Sequence, residues 1–295
     1  MVDFKVYPQK IPSALVDRVI RNHADFKKSS WSIFRAQGTT GFEKPLIDEH
    51  GNQCNSVQNP HLLGFSKQFR SSIEEIIFHR IVSECLTDFT GHKDHVHYQS
   101  MFFDKSTGTK RHQDTWYLDT QPAGNLVGIW FALEDIDIDA GPFCLYRNAA
   151  QSKLEPDQFD FDDLDNDARF KLSFPNSERF DFQARKGDIL IWKSFTVHGA
   201  LLPVSDNKTR KSITSHYYPK GSSVLDAPIK RMFSIYDHQT PKQTSNPSLQ
   251  KAGVINPYVY QSMCIALEKS KRLKNISSRD HSADKRLSEI RNIKY

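Results

Sequence analysis

The sequence predicts a mostly β fold with flanking helices, an α+β chain built around a barrel or sandwich of jelly-roll type. Three observations predict it. Helical periodicity is confined to the two ends of the chain. Between about 95 and 218, short runs rich in β-branched and aromatic residues follow one another across turn signals. No repeat or low-complexity linker divides the sequence, and 295 residues with 38% hydrophobic content can bury one large core. The expected organisation is a single domain over 1–295, with a helical N-terminal flank over 1–94, a jelly-roll core over 95–218 and a C-terminal helical extension over 219–295.

Taken in order, Ser13 is placed to cap a first helix whose apolar positions include Leu15, Val16, Val19 and Ile20. Residues 30–64 are polar and show little periodicity. One longer helix is expected over roughly 66–89, where Phe69, Ile73, Ile76, Ile77, Ile81 and Cys85 recur at three- and four-residue steps and Gly91 follows as a stop. Strands are expected at His95–Phe103, Leu126–Glu134, Pro142–Tyr146, Asp188–Trp192 and Arg210–Tyr218, punctuated by Ala140-Gly-Pro and Lys186-Gly-Asp. Residues 151–180 are acidic and mixed in pattern, so they read as an excursion from the barrel. A loop-like stretch after 220 leads to Asn256-Pro257, a cap and first-turn pair opening a helix through about Lys269.

Charge and cysteine usage exclude several classes. The net charge of +5 is located in residues 268–295, which carry nine Lys/Arg and four Asp/Glu, while the remaining 31 basic and 31 acidic residues cancel. That segment lacks interleaved aromatics, so it reads as a solvated end of the chain, with no nucleic-acid or membrane partner expected. No run of 18 apolar residues suggests a transmembrane helix, and the first residues do not read as a signal peptide. Cys54, Cys85, Cys144 and Cys264 are scattered without a C-x-x-C pair, which points to reduced thiols in a cytoplasmic setting. The acidic run Asp157, Asp160, Asp162, Asp163, Asp165 and Asp167 lacks the Gly and final Glu of an EF-hand loop and reads as a solvated lid.

The chemistry lies in His112-Gln113-Asp114, followed 84 residues after Asp114 by His198-Gly199 and 12 beyond that by Arg210. Two imidazoles and one carboxylate form the ligand set of a mononuclear non-haem Fe(II) centre with open positions. H-x-D occurs three times, at His23/Asp25, His92/Asp94 and His112/Asp114, and context separates them. His23 ends a helical segment, where residues two apart face different ways. His92 follows the Gly91 stop. His112 and Asp114 fall in an extended segment, where alternate residues share a face. A rival cluster of His92, Asp94, His95 and His97 could bind a metal, but nothing downstream completes it.

These residues resemble the phytanoyl-CoA dioxygenase family of Fe(II)/2-oxoglutarate-dependent oxygenases over roughly 95–218. The resemblance rests on His112-Gln-Asp, Trp130-Phe-Ala-Leu-Glu, Ala140-Gly-Pro, Lys186-Gly-Asp-Ile-Leu-Ile-Trp, His198-Gly and Arg210-Lys-Ser-Ile-Thr-Ser-His216-Tyr217, in that order. It implies a double-stranded β-helix, or cupin-like jelly roll. It also implies His112, Asp114 and His198 as iron ligands, Arg210 on the distal carboxylate of 2-oxoglutarate, and Trp130 against that co-substrate. Gln99 and Ser212 are implied as further co-substrate contacts. Arg suits its role because its planar, permanently charged fork matches a carboxylate.

The implied reaction uses O2 to hydroxylate an unactivated C–H bond of a small metabolite, releasing succinate and CO2. Halogenating relatives carry Gly or Ala in place of Asp114, so hydroxylation, desaturation or cyclisation is implied over halogenation. After Gly141, relatives commonly continue to Gly-Ser-His, whereas this chain has Tyr146-Arg147-Asn148-Ala149, which leaves the substrate open. Trp116 and Tyr117 are candidate substrate contacts or rim packing, and Lys110 and Arg111 candidate attractors of an anion or ordinary solvated charges. The near-neutral barrel favours a small polar or zwitterionic molecule over an acyl-CoA. Two other readings stand beside this one: a cupin-like protein holding a metal without turnover, and a non-oxidative metal enzyme. Neither requires Arg210. Oligomeric state is not readable.

Overall fold

A computed structural model of the chain describes residues 2–37, 42–155, 167–224, 236–254 and 256–274. In chain order the elements are β1 (Phe4–Tyr7), α1 (Ser13–Lys28), β2 (Phe34–Arg35), β3 (Phe42–Glu43), β4 (Val57–Gln58), α2 (Lys67–Ile77), α3 (Arg80–Thr90), β5 (His95–Phe103), β6 (Thr109–His112), β7 (Thr120–Gln121), β8 (Val127–Ala132), β9 (Phe143–Arg147), α4 (Asp167–Ser173), β10 (Glu178–Phe182), β11 (Ile189–Lys193), β12 (Val197–Ala200), β13 (Ser212–Pro219), β14 (Ser223–Val224), β15 (Tyr236–Gln243), β16 (Leu249–Val254) and α5 (Pro257–Lys274).

A large sheet runs in the order β1-β11-β8-β13-β5-β4-β2-β3, with β16 also on β5 and β15 on β16. A smaller sheet runs β10-β9-β12-β6. The alternation of side chains along the central strands explains the layering. Val127, Ile129, Phe131, Ile189, Ile191, Ile213 and Tyr217 pack with Val16, Val19, Ile73, Ile76 and Val82 of the helices. The intervening Trp130, Ala132, Leu190 and Trp192 pack instead with Phe143, Leu145, Phe182 and Ala200 of the small sheet. Strands buried on both faces read as near-continuous apolar runs, which is why they were legible. Each fully buried Ile or Val contributes roughly 1.5–3 kcal/mol to holding the helices on the sheet.

The expected helix over 66–89 is two helices. Phe78 leaves helical geometry and the His79 side chain accepts from Ile81 N at 3.3 Å, capping α3. The apolar period runs through the break because both helices bury the same side. Gly91 closes α3 at φ 77°, donating to Thr87 O. Ser13 is the first residue of α1 and makes no cap; Pro12 precedes it. Asn256 does cap α5, its Oδ1 accepting from Tyr258 N at 2.9 Å. Three stretches expected to lack strands contain them. Residues 34–58 hold β2, β3 and β4. Residues 178–182 form β10, which begins inside the expected 151–180 excursion and runs past its end. The loop-like stretch after 220 holds β15 and β16. Strands β2, β3 and β4 are two residues each, too short to carry a period-2 signature, and β15 is polar in sequence. Asp157 to Asp165 of the acidic run and residues 275–295 of the basic segment lie outside the described residues. No described helix is long and apolar enough to cross a membrane.

Several histidines belong to the core. His23, with Phe69 and Phe102 against its ring, shares a hydrogen bond with Gln53 at 3.0 Å, and burial pulls it down to about 4. Burial takes His61 to about 3 and His95 to about 4. In the unfolded chain these groups titrate near their ordinary value, so from about 6.5 down to 4 the unfolded state binds more protons. Their stabilisation is therefore present above about pH 6.5 and is lost as pH falls, by about 1 kcal/mol per pH unit for each group. The thermal midpoint is expected to drop steadily between pH 7 and 5. A flat profile there would contradict neutral, buried imidazoles.

Candidate metal centre

β6 ends on His112, Gln113 continues extended, and Asp114 opens a single 3-10 turn through Trp116. The extended link sends the His112 and Asp114 side chains the same way, and the turn then carries the chain off the sheet. β12 lies between β6 and β9, and His198 stands directly opposite His112 in register. The two ligand segments are thus neighbouring antiparallel strands of the small sheet, with imidazole centroids 4.2 Å apart.

Asp114 Oδ1 lies 4.0 Å from His112 Nε2 and 3.5 Å from His198 Nε2. Among the described residues, these three form the group of His, Cys, Asp or Glu able to share an ion, with ligand atoms within 4.8 Å of one another. His112 Nδ1 faces Lys110 O and His198 Nδ1 faces Thr196 O, each at 2.8 Å. A carbonyl only accepts, so each Nδ1 carries the proton and each Nε2 lone pair is turned inward, as a metal ligand requires. Burial, with His198 nearby, lowers His112 to about 4, keeping its lone pair free at neutral pH. Burial by itself would raise the Asp114 carboxyl, but His216 and His198 beside it hold it well below the usual carboxylate range. The arrangement offers one anionic oxygen and two neutral nitrogens, which suits a divalent transition ion with open positions.

Two residues that the sequence reading assigned no role set this geometry. Trp192 Nε1 donates to Asp114 Oδ2 at 2.8 Å, which ties up one carboxylate oxygen and leaves Oδ1 on the metal side. Gly128 stands opposite Trp192 on β8, and a Cβ there would overlap the indole. Gly128→Ala is expected to displace Trp192, lower the thermal midpoint, and weaken Mn(II) binding about 10- to 100-fold, as loss of an outer-shell partner does. Unchanged Mn(II) affinity in a folded Gly128→Ala protein would remove Trp192 from the centre.

Arg210 precedes β13 and is buried; its Nη1 donates to Gly141 O at 3.0 Å, its guanidinium lies 5.9 Å from the Phe103 ring centroid, and burial lowers it to about 10. Among the described residues its Nε has no hydrogen-bond partner and no carboxylate pairs with it. A buried, unpaired guanidinium is costly, so it fits an anionic guest. Gly141 has φ 75°, and a Cβ there would strike the backbone at Leu201–Pro203; only glycine both makes this turn and brings its carbonyl to Arg210. Trp130 is buried on the same interior side, its Nε1 without a hydrogen-bond partner among the described residues. Both orphaned donors fit a dicarboxylate. Ser212 Oγ donates to Arg210 O at 3.3 Å, and Gln99 Nε2 lies 3.3 Å from His216 Nδ1, so both side chains are engaged with neighbours of the implied site.

Trp116 is half-buried, with Nε1 donating to Leu154 O at 2.6 Å, so it anchors the start of the acidic excursion. Tyr117 is 56% exposed and 5.8 Å from the His112 ring, a position at the rim of the centre. Gln113 points away from its neighbours: Nε2 donates to Phe195 O and Ser152 O, and Oε1 accepts from Leu154 N at 2.7 Å. It staples the ligand segment to the strand-entry loop of His198. Arg111 is buried, with its guanidinium over Phe170 at 4.8 Å and Nε donating to Tyr146 OH, and is not the solvated charge its position suggested. Lys110 is exposed. The rival histidines do not assemble. His95 and His97 share a face, but it is the helix-side face: His95 bonds Thr90 Oγ1 at 2.9 Å and His97 packs against Phe78 and Tyr217.

The sequence matches the family model for phytanoyl-CoA dioxygenase over residues 16–212, about two thirds of the chain. Among solved structures it is similar to the non-heme alpha ketoglutarate dependent epimerase SnoN from nogalamycin biosynthesis, with TM-score 0.57, 14% identity, and 84% of this chain and 93% of that one covered. It is also similar to the carbocyclase SnoK of the same biosynthesis (TM-score 0.55, 15% identity, 77% and 84% covered). EctD from S. alaskensis with bound Fe gives TM-score 0.55 at 11% identity, over 76% and 75%. At these identities the likeness establishes the double-stranded β-helix fold.

Proposed function

Because the chain belongs to the phytanoyl-CoA dioxygenase family, we propose that it is an Fe(II)- and 2-oxoglutarate-dependent dioxygenase that hydroxylates an unactivated C–H bond of a small metabolite. The observation that carries this reading is a His-Asp-His group and a buried guanidinium with an unspent Nε–H inside one fold. His112, Asp114 and His198 would hold the iron, and Arg210 and Trp130 would hold the far end of 2-oxoglutarate. With O2, the bound iron supplies the oxidising power that converts 2-oxoglutarate to succinate and CO2 and a substrate C–H to C–OH.

The remaining work belongs to this chain's residues. Trp192 holds the Asp114 carboxylate in one orientation. Arg210 orients the co-substrate through two parallel donor directions that a lysine cannot supply. The interior aromatics Trp130, Phe143, Trp192 and Phe182 keep bulk water from the reacting side. Tyr117 at the rim, with Trp116, is the proposed substrate-facing surface. Asp114 occupies the metal-facing position, which leaves hydroxylation, or the epimerising and cyclising outcomes named for SnoN and SnoK, ahead of halogenation. Cys85, Cys144 and Cys264 are buried thiols outside any disulfide, in keeping with a reducing, cytoplasmic setting.

The test is succinate formation by purified protein supplied with Fe(II), 2-oxoglutarate and ascorbate in air, with a panel of metabolites added in turn. Slow turnover without substrate, accelerated by one metabolite, is the expected result. A metal-loaded protein that neither binds 2-oxoglutarate nor makes succinate returns the chain to a non-oxidative metal protein.

A further inference from the structure

A third imidazole faces the centre. His216 on β13 is buried, and its Nε2 lies 3.3 Å from Asp114 Oδ1, closer than either His198 or His112. Distance therefore does not say which imidazoles bind metal; hydrogen-bond partners do. His112 and His198 each face a backbone carbonyl through Nδ1, so their Nε2 atoms carry lone pairs. Opposite Nδ1 of His216 stands the Gln99 amide nitrogen, at 3.3 Å across the β5–β13 pair. An amide N–H2 only donates. His216 Nδ1 must accept, and its proton sits on Nε2.

A neutral imidazole with hydrogen on its inward nitrogen cannot ligate, but it can donate. That hydrogen faces Asp114 Oδ1 at 3.3 Å, but among the described residues Nε2 has no partner of hydrogen-bonding geometry, so it is free to turn to a second acceptor. Asp114 is already engaged through Oδ2 by Trp192, and its Oδ1 is the metal-side oxygen. The acceptor still to come is the other anion that enters the centre.

We infer that His216, set in this tautomer by Gln99, is a binding residue for the metal-side carboxylate of 2-oxoglutarate and is not a metal ligand. The inference rests on the oxygenase reading above. It also assigns Gln99 a positioning role through His216 in place of the direct co-substrate contact implied by resemblance. The two ends of the co-substrate are then held by two interior residues of one chain segment, Arg210 and His216.

The experiment uses full-length protein and Mn(II) as an air-stable probe, with metal and 2-oxoglutarate affinities measured separately by calorimetry. In His216→Phe, Mn(II) affinity stays at the wild-type value, while 2-oxoglutarate binds about tenfold or more weakly, the expected loss of a hydrogen bond to a charged group. His216→Gln, which keeps an N–H donor, restores most of that loss. Gln99→Leu, which frees the tautomer, weakens 2-oxoglutarate binding without touching Mn(II), and it decides the matter should His216→Phe not fold. Mn(II) binding lost in His216→Phe as it is in His198→Ala makes His216 a ligand and overturns the assignment. Equal 2-oxoglutarate affinity in all three variants overturns it as well, with the oxygenase reading intact. A wild-type protein that binds Mn(II) but no 2-oxoglutarate overturns both.

Discussion

Asp114→Ala abolishes turnover and lowers Mn(II) affinity by more than about 100-fold, beyond the range that changes in outer-shell partners produce. The size follows from the surroundings. Asp114 is buried, and its carboxylate is the anionic member of the ligand group. Without it a dication would meet two neutral imidazoles in a low-dielectric interior. The variant also orphans the Trp192 N–H, which costs about 1–3 kcal/mol in its own right. Asp114→Asn separates the two effects: it can keep the acceptor for Trp192 while losing the charge, so the fold should be spared and the metal still lost. Succinate formation and Mn(II) titration read the outcome. Full turnover in Asp114→Ala would remove the carboxylate from the mechanism.

Arg210→Leu raises the dissociation constant for 2-oxoglutarate roughly 100- to 1,000-fold, the scale of leaving a buried charge without its partner. It leaves Mn(II) affinity unchanged. Stability provides an independent sign. In the free protein the Arg210 guanidinium is buried and, among the described residues, makes one hydrogen bond, to Gly141 O. Removing an unpaired buried charge relieves a desolvation cost, so the Arg210→Leu thermal midpoint should match or exceed wild type without co-substrate and lose the rise that co-substrate confers on wild type. Arg210→Lys should fall between, because a single ammonium cannot supply the parallel fork. A strongly destabilised Arg210→Leu with normal 2-oxoglutarate affinity would make this arginine a prop for the Gly141 turn.

Much of the site was legible because its parts are local chemistry in a recognisable order. His112, Asp114, His198 and Arg210 stand in short motifs, and the strands carrying them announce themselves by apolar runs. The helix break at Phe78–His79 was hidden because burial continues across it. Strands β1 and β16 were hidden because strand pairing is a backbone matter: β1 lines β11 in register Phe4↔Trp192, and β16, between β15 and β5, runs parallel to β5 at Leu249↔His95.

By itself the order of residues determined the layered β architecture, the family, and the donor types available for a metal, since side-chain period and functional-group chemistry are properties of short stretches. Contacts between distant stretches decided the rest. Trp192 reaches Asp114 across 78 positions, Gln99 reaches His216 across 117, and Gly128 matters because an indole from another strand fills the space a methyl would take. Which nitrogen of an imidazole bears the hydrogen depends on the partner opposite it: for His112 and His198 that is a carbonyl two residues back, whereas for His216 strand pairing brings Gln99 there.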